Sequence, residues 1–389
     1  LTGRDVSADE AASPGFRATW VSFAHMAIWA YCLYGIGVAT PYLRTDLGLT
    51  DFEAGLHASA LAVGILVAGV STDSIGRLIG PGRLRDLAAA VLVGALALVA
   101  LAPALPVSLA GAFVLGLGGG VLGTDISIRL GRFGGAETRR LMSQVNAGAM
   151  VTAAAAPLAI GLAAAWLHAW RVALALPAIA LVALTVFRPR SVEARISVRP
   201  PRSPLPGAYW LAWLLIVLVV SIEFSFVYWG STIVGKRTGI SSADATLLAS
   251  LFVAGMLAGR LAAGSRFGAA RAPRGLLAGG LGLVLVGAGL TWIATVPALA
   301  GLGLLIGGLG TAGLYPIGLT VALHAAPNAQ LEAAARATLA SGMAVLLAPS
   351  ILGLASDAVG VVAAWPITVG LAACGLVVVG VSARILPAA

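Results

Sequence analysis

The sequence predicts an all-α membrane protein: twelve transmembrane helices arranged as two pseudo-symmetric six-helix bundles. Three observations predict it. Apolar runs long enough to cross a bilayer recur along the chain, basic residues collect on one side of those runs, and the two halves of the chain repeat each other. Composition agrees, with 59% hydrophobic and 10% charged residues and a mean hydropathy of +0.99, where soluble domains carry about 25% charged residues.

About 20 apolar residues cross the ~30 Å hydrocarbon core. On that basis the spans are 16–40, 53–72, 86–104, 106–128, 141–166, 168–187, 209–235, 243–264, 275–296, 298–322, 333–355 and 359–384. The first run is followed by eleven more and is too long for the apolar region of a cleaved signal peptide, so it is expected to be a retained span. Residues 188–207 form the longest hydrophilic break, with five Arg and five Pro. The expected organisation is a cytoplasmic segment over 1–15, an N-terminal bundle over 16–187, a basic cytoplasmic linker over 188–208 and a C-terminal bundle over 209–389.

The formal charge of +9 is explained by where the charges lie. With the N-terminus inside, the outer segments hold only Arg44, Arg171, Lys236 and Arg237, and the inner segments hold the other 20 basic residues. The positive-inside rule then places both termini in the cytoplasm, as the even span count also requires, and points to the plasma membrane. Attraction to anionic inner-leaflet lipid follows from the same charges, and no nucleic-acid partner is implied. Trp166, Trp170, Trp292 and Trp365 near outer ends, with Trp210 and Trp213 near an inner end, read as interfacial belts. Cys32 and Cys374 lie in separate spans and make no metal site.

The halves match at a nearly constant offset. Residues 47–66 overlay residues 238–257 at +191, with Gly48, Ala54, Leu56, Ala58, Ser59, Gly64 and Leu66 identical to Gly239, Ala245, Leu247, Ala249, Ser250, Gly255 and Leu257. At +192, Gly116-Leu117-Gly118 meets Gly308-Leu309-Gly310, and Ala156-Pro157 with Gly161 meets Ala348-Pro349 with Gly353. Two six-span halves in one orientation are parallel repeats, whose ligand site lies between them near the midplane.

Glu223 is the residue most out of place, roughly midway along span seven. An acidic residue at a helix centre costs about 2.5–3.5 kcal/mol on insertion scales, so it takes up a proton, pairs, or faces water. Its helix faces conflict. Ser221, Ser225, Tyr228 and Thr232 make one polar stripe, and Glu223 points about 200° away from Ser221. Either span seven unwinds near Gly230, or Glu223 faces a neighbouring helix. His25 in span one is the rival proton carrier, since histidine titrates near neutral pH. Trp29, Tyr31 and Tyr34 either stack on a substrate ring or pack.

Gly118-Gly119-Gly120 with Gly123 matches a dinucleotide fingerprint by letter, but inside a span it reads as close helix packing. Pro157 and Pro349 are tolerated in spans and are expected to bend them where the halves meet. Asp125, about 18 residues into span four, is expected near the inner surface, paired with Arg77 or with Arg129 at i+4, or solvated there.

Between spans two and three, Gly69, Asp73, Gly76 and Arg77 follow the spacing GxxxDxxGR. This resembles the signature of the major facilitator superfamily, at the place where that family carries it. The resemblance implies the major facilitator fold and an inner turn that locks the helix ends in the outward-open state, with Asp125 as a partner for the loop arginine. Ser74 stands where the family has a second arginine. Glu223 and Trp229, six apart, are similar to the E-x5-W pattern of the fucose–galactose–glucose:proton symporter branch, and residues 139–149 resemble that branch's approach to span five. Gly118, Gly119 and Gly120 stand where sugar–proton symporters of the branch carry a glutamate.

The function expected is secondary active transport of a small neutral or amphipathic solute by alternating access, proton-coupled, by a monomer with no cofactor or metal. Its alternative is proton-driven export on the same fold. Neutrality is inferred from the lack of Lys or Arg near any predicted midplane, which disfavours phosphate esters and dicarboxylates. A polytopic membrane enzyme is the competing class, but H-E-x-x-H and G-x-S-x-G are missing and His25, His57, His168 and His324 are dispersed. The chain has no G-x-x-x-x-G-K-[ST] motif for ATP, and Lys236 is its one lysine.

Overall fold

The structure is a computed structural model that describes residues 16–131, 133, 135–187, 204–263 and 272–385. Residues 1–15 and most of the expected 188–208 linker lie outside the described residues. Nearly all the rest is helix: α1 (Phe16–Leu47), α2 (Asp51–Ile79), α3 (Pro81–Ala100), α4 (Leu105–Gly131), α5 (Gly135–Leu167), α6 (Trp170–Phe187), α7 (Gly207–Thr238), α8 (Ser242–Ala263), α9 (Pro273–Ile293), α10 (Pro297–Thr311), α11 (Leu314–Ala325), α12 (Gln330–Val359), α13 (Val361–Ala364) and α14 (Pro366–Ile385). Among the described residues, eleven segments are long and apolar enough to cross a membrane, with α10 and α11 counted together. The twelfth, α3, opens with Arg83, Arg85 and Asp86 and is shorter in its apolar part. The chain is an integral membrane protein.

Three expectations change in the structure. Span ten is two helices, α10 and α11, broken at Ala312 and Gly313. Helix α2 runs on to Ile79, so Gly69, Asp73, Gly76 and Arg77 are helical rather than a turn. The chain turns only at Gly80, whose φ of +87° suits glycine. Two of the expected belt tryptophans are buried. Trp365 has no exposure and donates to Ala288 O at 3.0 Å, and Trp170 donates to Asp46 Oδ2 at 3.1 Å. Trp166, Trp210 and Trp292 are exposed.

The same helix pairs touch in each half. α2 packs on α4, α3 on α4 and α6, and α1 on α5 and α6; correspondingly α8 packs on α10, α9 on α10 and α14, and α7 on α12 and α14. The repeat extends to single atoms. Gly48 and Gly239 both adopt left-handed φ, +64° and +69°. Just after them, Thr50 caps Glu53 N at 3.2 Å and Ser241 caps Asp244 N at 3.1 Å. A Cβ on Gly116 would land on the Leu61 carbonyl of α2, and one on Gly308 on the Phe252 carbonyl of α8. The three consecutive glycines of α4 serve three neighbours: Gly118 meets Leu92 and Ala88 of α3, Gly119 meets the Trp29 ring of α1, and Gly120 meets Ala68 and Ile65 of α2. Small residues let backbones approach where lipid supplies no hydrophobic drive for association.

Between halves, α2 packs on α12 and α5 on α8. A Cβ on Gly55 would lie 2.7 Å from Pro349 O, and one on Gly161 would lie 2.8 Å from Leu247 Cδ2. Both prolines of the repeat thus lie in helices of this interface.

Overpacking a tight helix contact costs about 1–3 kcal/mol, whereas Gly→Ala at an open helical site gains up to about 1 kcal/mol. Gly116→Ala and Gly308→Ala should therefore each lower the melting temperature in detergent. Gly123→Ala, with no atom within 4 Å of its Cβ position, should leave it unchanged or raise it.

Candidate functional site

At the centre of the bundle the Tyr34 hydroxyl of α1 donates to Glu223 Oε1 of α7, and both side chains are buried. The pair links the two halves across 189 residues of sequence. Helix α7 is continuous through Gly230 to its Gly239 cap, so it does not unwind. Glu223 faces the neighbouring helix α1 instead. On the stripe of its other face, Ser225 Oγ donates to Ser221 O at 2.8 Å. A phenol held against a carboxylate supplies a hydrogen bond in either protonation state, which keeps the acid tolerable in a dry interior.

Arg260 of α8 is the cation whose field reaches both Tyr34 and Glu223. It lies 18 residues into α8, and Glu223 lies 15 residues before the end of α7. At 1.5 Å per residue their Cα atoms differ in depth by about one turn. Arg260 stands in the last turn of α8, toward the end of its span. Arg260 Nε donates to Ala312 O at 3.3 Å, at the break between α10 and α11. The cause is local: residue 316 is proline and has no N–H to return to the Ala312 carbonyl. Tyr315, next in chain, lies beside Ser341 of α12 and within the field of Glu223.

The other sequence candidates are dispersed. Trp229 donates to Pro349 O at 3.0 Å. Tyr31 donates to Ala173 O of α6 at 2.8 Å. Trp29 fills the hollow left by Gly119, and His25 bonds within its own helix, Nδ1 to Val21 O at 2.8 Å. Tyr228 is buried with its hydroxyl unpartnered in the structure. Of these residues only Tyr34 joins Glu223.

Asp73 and Arg77 pair at 2.5 Å, each about half exposed. Asp125 is not Arg77's partner. It binds Arg85 of α3, Nε to Oδ2 at 2.8 Å, in a buried pair, and Arg129 approaches it to 4.0 Å. Arg85 was missed because its place in a basic segment read as orientation charge. Arg260 was counted with the same charges, and its bond to the Ala312 carbonyl was not foreseen, although Pro316 marked the break beside it.

The halves close on each other at the end opposite these arginines. Asp357 of α12 accepts from the backbone N–H groups of Asp51 and Phe52 at 2.7 and 2.9 Å, capping α2 from the other half. Arg44 and Ser356 both bind the Asp51 carboxylate. Deeper in, Ser59 donates to Leu346 O at 2.6 Å, and Tyr42 donates to Thr246 Oγ1 at 2.9 Å. Leu66 meets the Cβ position of Gly342 in α12. Gly69 has no atom within 4 Å of its Cβ position, and Val70 and Leu78 are 79% and 82% exposed.

No family model matches the chain, and no curated protein matches it. Solved structures do. The D-xylose–proton symporter aligns with a TM-score of 0.79 at 14% identity, over 96% of this chain and 98% of that one. A bacterial homolog to the human lysosomal transporter Spinster, inward-facing and unoccupied, aligns with a TM-score of 0.75 at 13% identity, over 95% and 98%. A peptide transporter in complex with alafosfalin aligns with a TM-score of 0.73 at 16% identity, over 96% and 97%. The chain has the major facilitator fold.

Proposed function

We propose that this protein is a proton-coupled secondary active transporter that moves a small solute by alternating access, and not an enzyme. The observation that carries the reading is the Tyr34–Glu223 hydrogen bond: a buried, protonatable group placed where the two halves meet. Contact between the halves at the Asp357 end, and the exposure of Val70 and Leu78 toward the other end of α2, agree with it. So does the kinship of fold with proton symporters. By the positive-inside rule the arginine-bearing end is cytoplasmic and both termini lie there; the membrane we assign is the plasma membrane. The state described is then inward-open, and Asp73 and Arg77 lock the helix ends when the molecule turns outward.

The coupling logic is electrostatic. A carboxylate crossing between two states in a medium of low dielectric moves far more readily when neutral. Loading Glu223 with a proton together with the solute therefore permits the carrier to turn over, and both are released on the other side. Direction, uptake or export, follows from the gradient and the solute, not from these residues.

In proteoliposomes, Glu223→Gln should retain solute exchange and lose accumulation driven by a pH gradient, while His25→Asn keeps both. Normal accumulation in Glu223→Gln would show that Glu223 is structural. Asp73→Asn and Arg77→Ala should lower transport several-fold with melting temperatures near wild type, because an exposed i,i+4 pair contributes only about 0.3–0.5 kcal/mol. Unchanged rates would remove the gating role.

A further inference from the structure

The repeat makes α2 and α8 equivalent, and at +191 Ser242 is the counterpart of Asp51. Each opens its helix, and each first turn is gripped from the opposite half. Asp357 of α12 holds the Asp51 and Phe52 N–H groups of α2 at 2.7 and 2.9 Å. On α8, the Tyr42 hydroxyl of α1 sits between Thr246 Oγ1 at 2.9 Å and Ser242 O at 3.1 Å. With one proton it donates to one of these oxygens, and it can accept from the Thr246 hydroxyl when it donates to the carbonyl. α1 and α8 otherwise touch little, so this bond is not a by-product of broad packing.

Tyr42 does not reach across unaided. Its ring stacks on Trp170 of α6, with centroids 5.7 Å apart and planes at 23°. Trp170 Nε1 donates to Asp46 Oδ2 at 3.1 Å, one turn beyond Tyr42 on α1. Arg171 pairs with the same oxygen at 2.5 Å and lies over the Trp170 ring, 4.7 Å from its centroid. The turn just before them has a left-handed backbone at His168, with φ of +49°, where the repeat has Gly360 at +83°. Among the described residues no other non-glycine has positive φ. Such a backbone persists where its surroundings over-determine it, and Trp170 and Arg171 supply those contacts. A ring clamped on one face carries its hydroxyl in a fixed direction, so little rotamer freedom is lost in bonding to α8.

We propose that Tyr42 is a second lock on the closed end, placed by Trp170, Arg171 and Asp46, so that each half holds the equivalent turn of the other. This rests on the alternating-access reading. Opening this end then breaks two separate polar contacts, on different helix pairs. Tyr42 is a positioning residue: it acts on the balance between the two states, not on solute or proton chemistry.

The test uses purified full-length protein in nanodiscs, spin-labelled at Leu101→Cys and Val296→Cys in a Cys374→Ser background. Leu101 and Val296 are exposed residues of the two halves at this end, away from both locks. Double electron–electron resonance gives the populations of short and long distances. Tyr42→Phe keeps the stacked ring and removes only the hydroxyl. It should raise the ratio of open to closed at this end about two- to tenfold, the range expected for losing one hydrogen bond. Asp46→Ala releases Trp170 and Arg171, and should shift the ratio the same way by a smaller factor. Added to Tyr42→Phe it should have no further effect, because the brace acts only through the hydroxyl. Should Asp46→Ala fail to fold, Arg171→Gln removes the ion pair and the cation over the ring and is put through the same comparison. The proposal is overturned if the ratio is unchanged or falls in Tyr42→Phe, or if the brace substitution shifts it equally with and without Tyr42→Phe. Flux is measured separately in proteoliposomes. A population shift in Tyr42→Phe, with no flux in the unsubstituted protein, would overturn the transporter reading and leave the lock standing.

Discussion

Hydrocarbon offers no hydrogen-bond partner, and that constraint shapes most of the polar groups inside this bundle, the buried Tyr228 hydroxyl being an exception. A buried donor or acceptor left unpaired costs several kcal/mol, so side chains find partners on neighbouring helices. Tyr34 answers Glu223, Arg85 answers Asp125, Trp229 answers Pro349 O, and His57 Nε2 answers Ser108 at 2.9 Å. Even the break in span ten follows the rule, because the carbonyl that Pro316 orphans is taken by Arg260. Each such bond fixes the rotation of two helices at once. Glycines then set their separation, with Gly116 and Gly308 bringing backbones into contact at equivalent places in the two halves.

The constraint acts unequally at the two ends. At one, the N-terminus of α2 has backbone N–H groups that need acceptors, and Asp357 from the other half supplies them. A carboxylate at a helix N-terminus is worth up to about 2 kcal/mol, small enough to be broken in each cycle. At the other end, the exposed Asp73–Arg77 pair closes on itself along one helix. The halves are thus joined by exchangeable polar contacts at the Asp357 end as well as by apolar packing between them. Glu223 and Tyr34 lie between these ends, where a change in proton occupancy bears on the packing of both halves.

Hydropathy and repetition were readable from the chain because they are averages over many residues. The spans, the +191 and +192 offsets and the packing role of Gly118, Gly119 and Gly120 all emerged that way. Partner choice was not readable, because it depends on how each helix is rotated. Asp125 was assigned to Arg77 or Arg129 within reach in sequence, yet Arg85 on α3 holds it most closely. The conflict between the faces of α7 was real and stated the correct alternatives; only the position of α1 decides between them. Trp365 was placed in an interfacial belt by its distance from a span end, but the break after Ala364 turns its ring inward. Arg260 was counted with the orientation charges, and its bond to the Ala312 carbonyl depends on a helix break that a charge tally does not register.

The central claim is that the two halves pivot between closure at one end and closure at the other, with Asp357 holding the present state. Spin labels at Leu78→Cys with Leu339→Cys, and at Thr45→Cys with Val359→Cys, in a Cys374→Ser background, report the two ends by double electron–electron resonance. Removing the cap with Asp357→Ala should lengthen the Thr45–Val359 distance and shorten the Leu78–Leu339 distance in the same population. Distances that stay fixed at both ends, or lengthen together, would contradict the account.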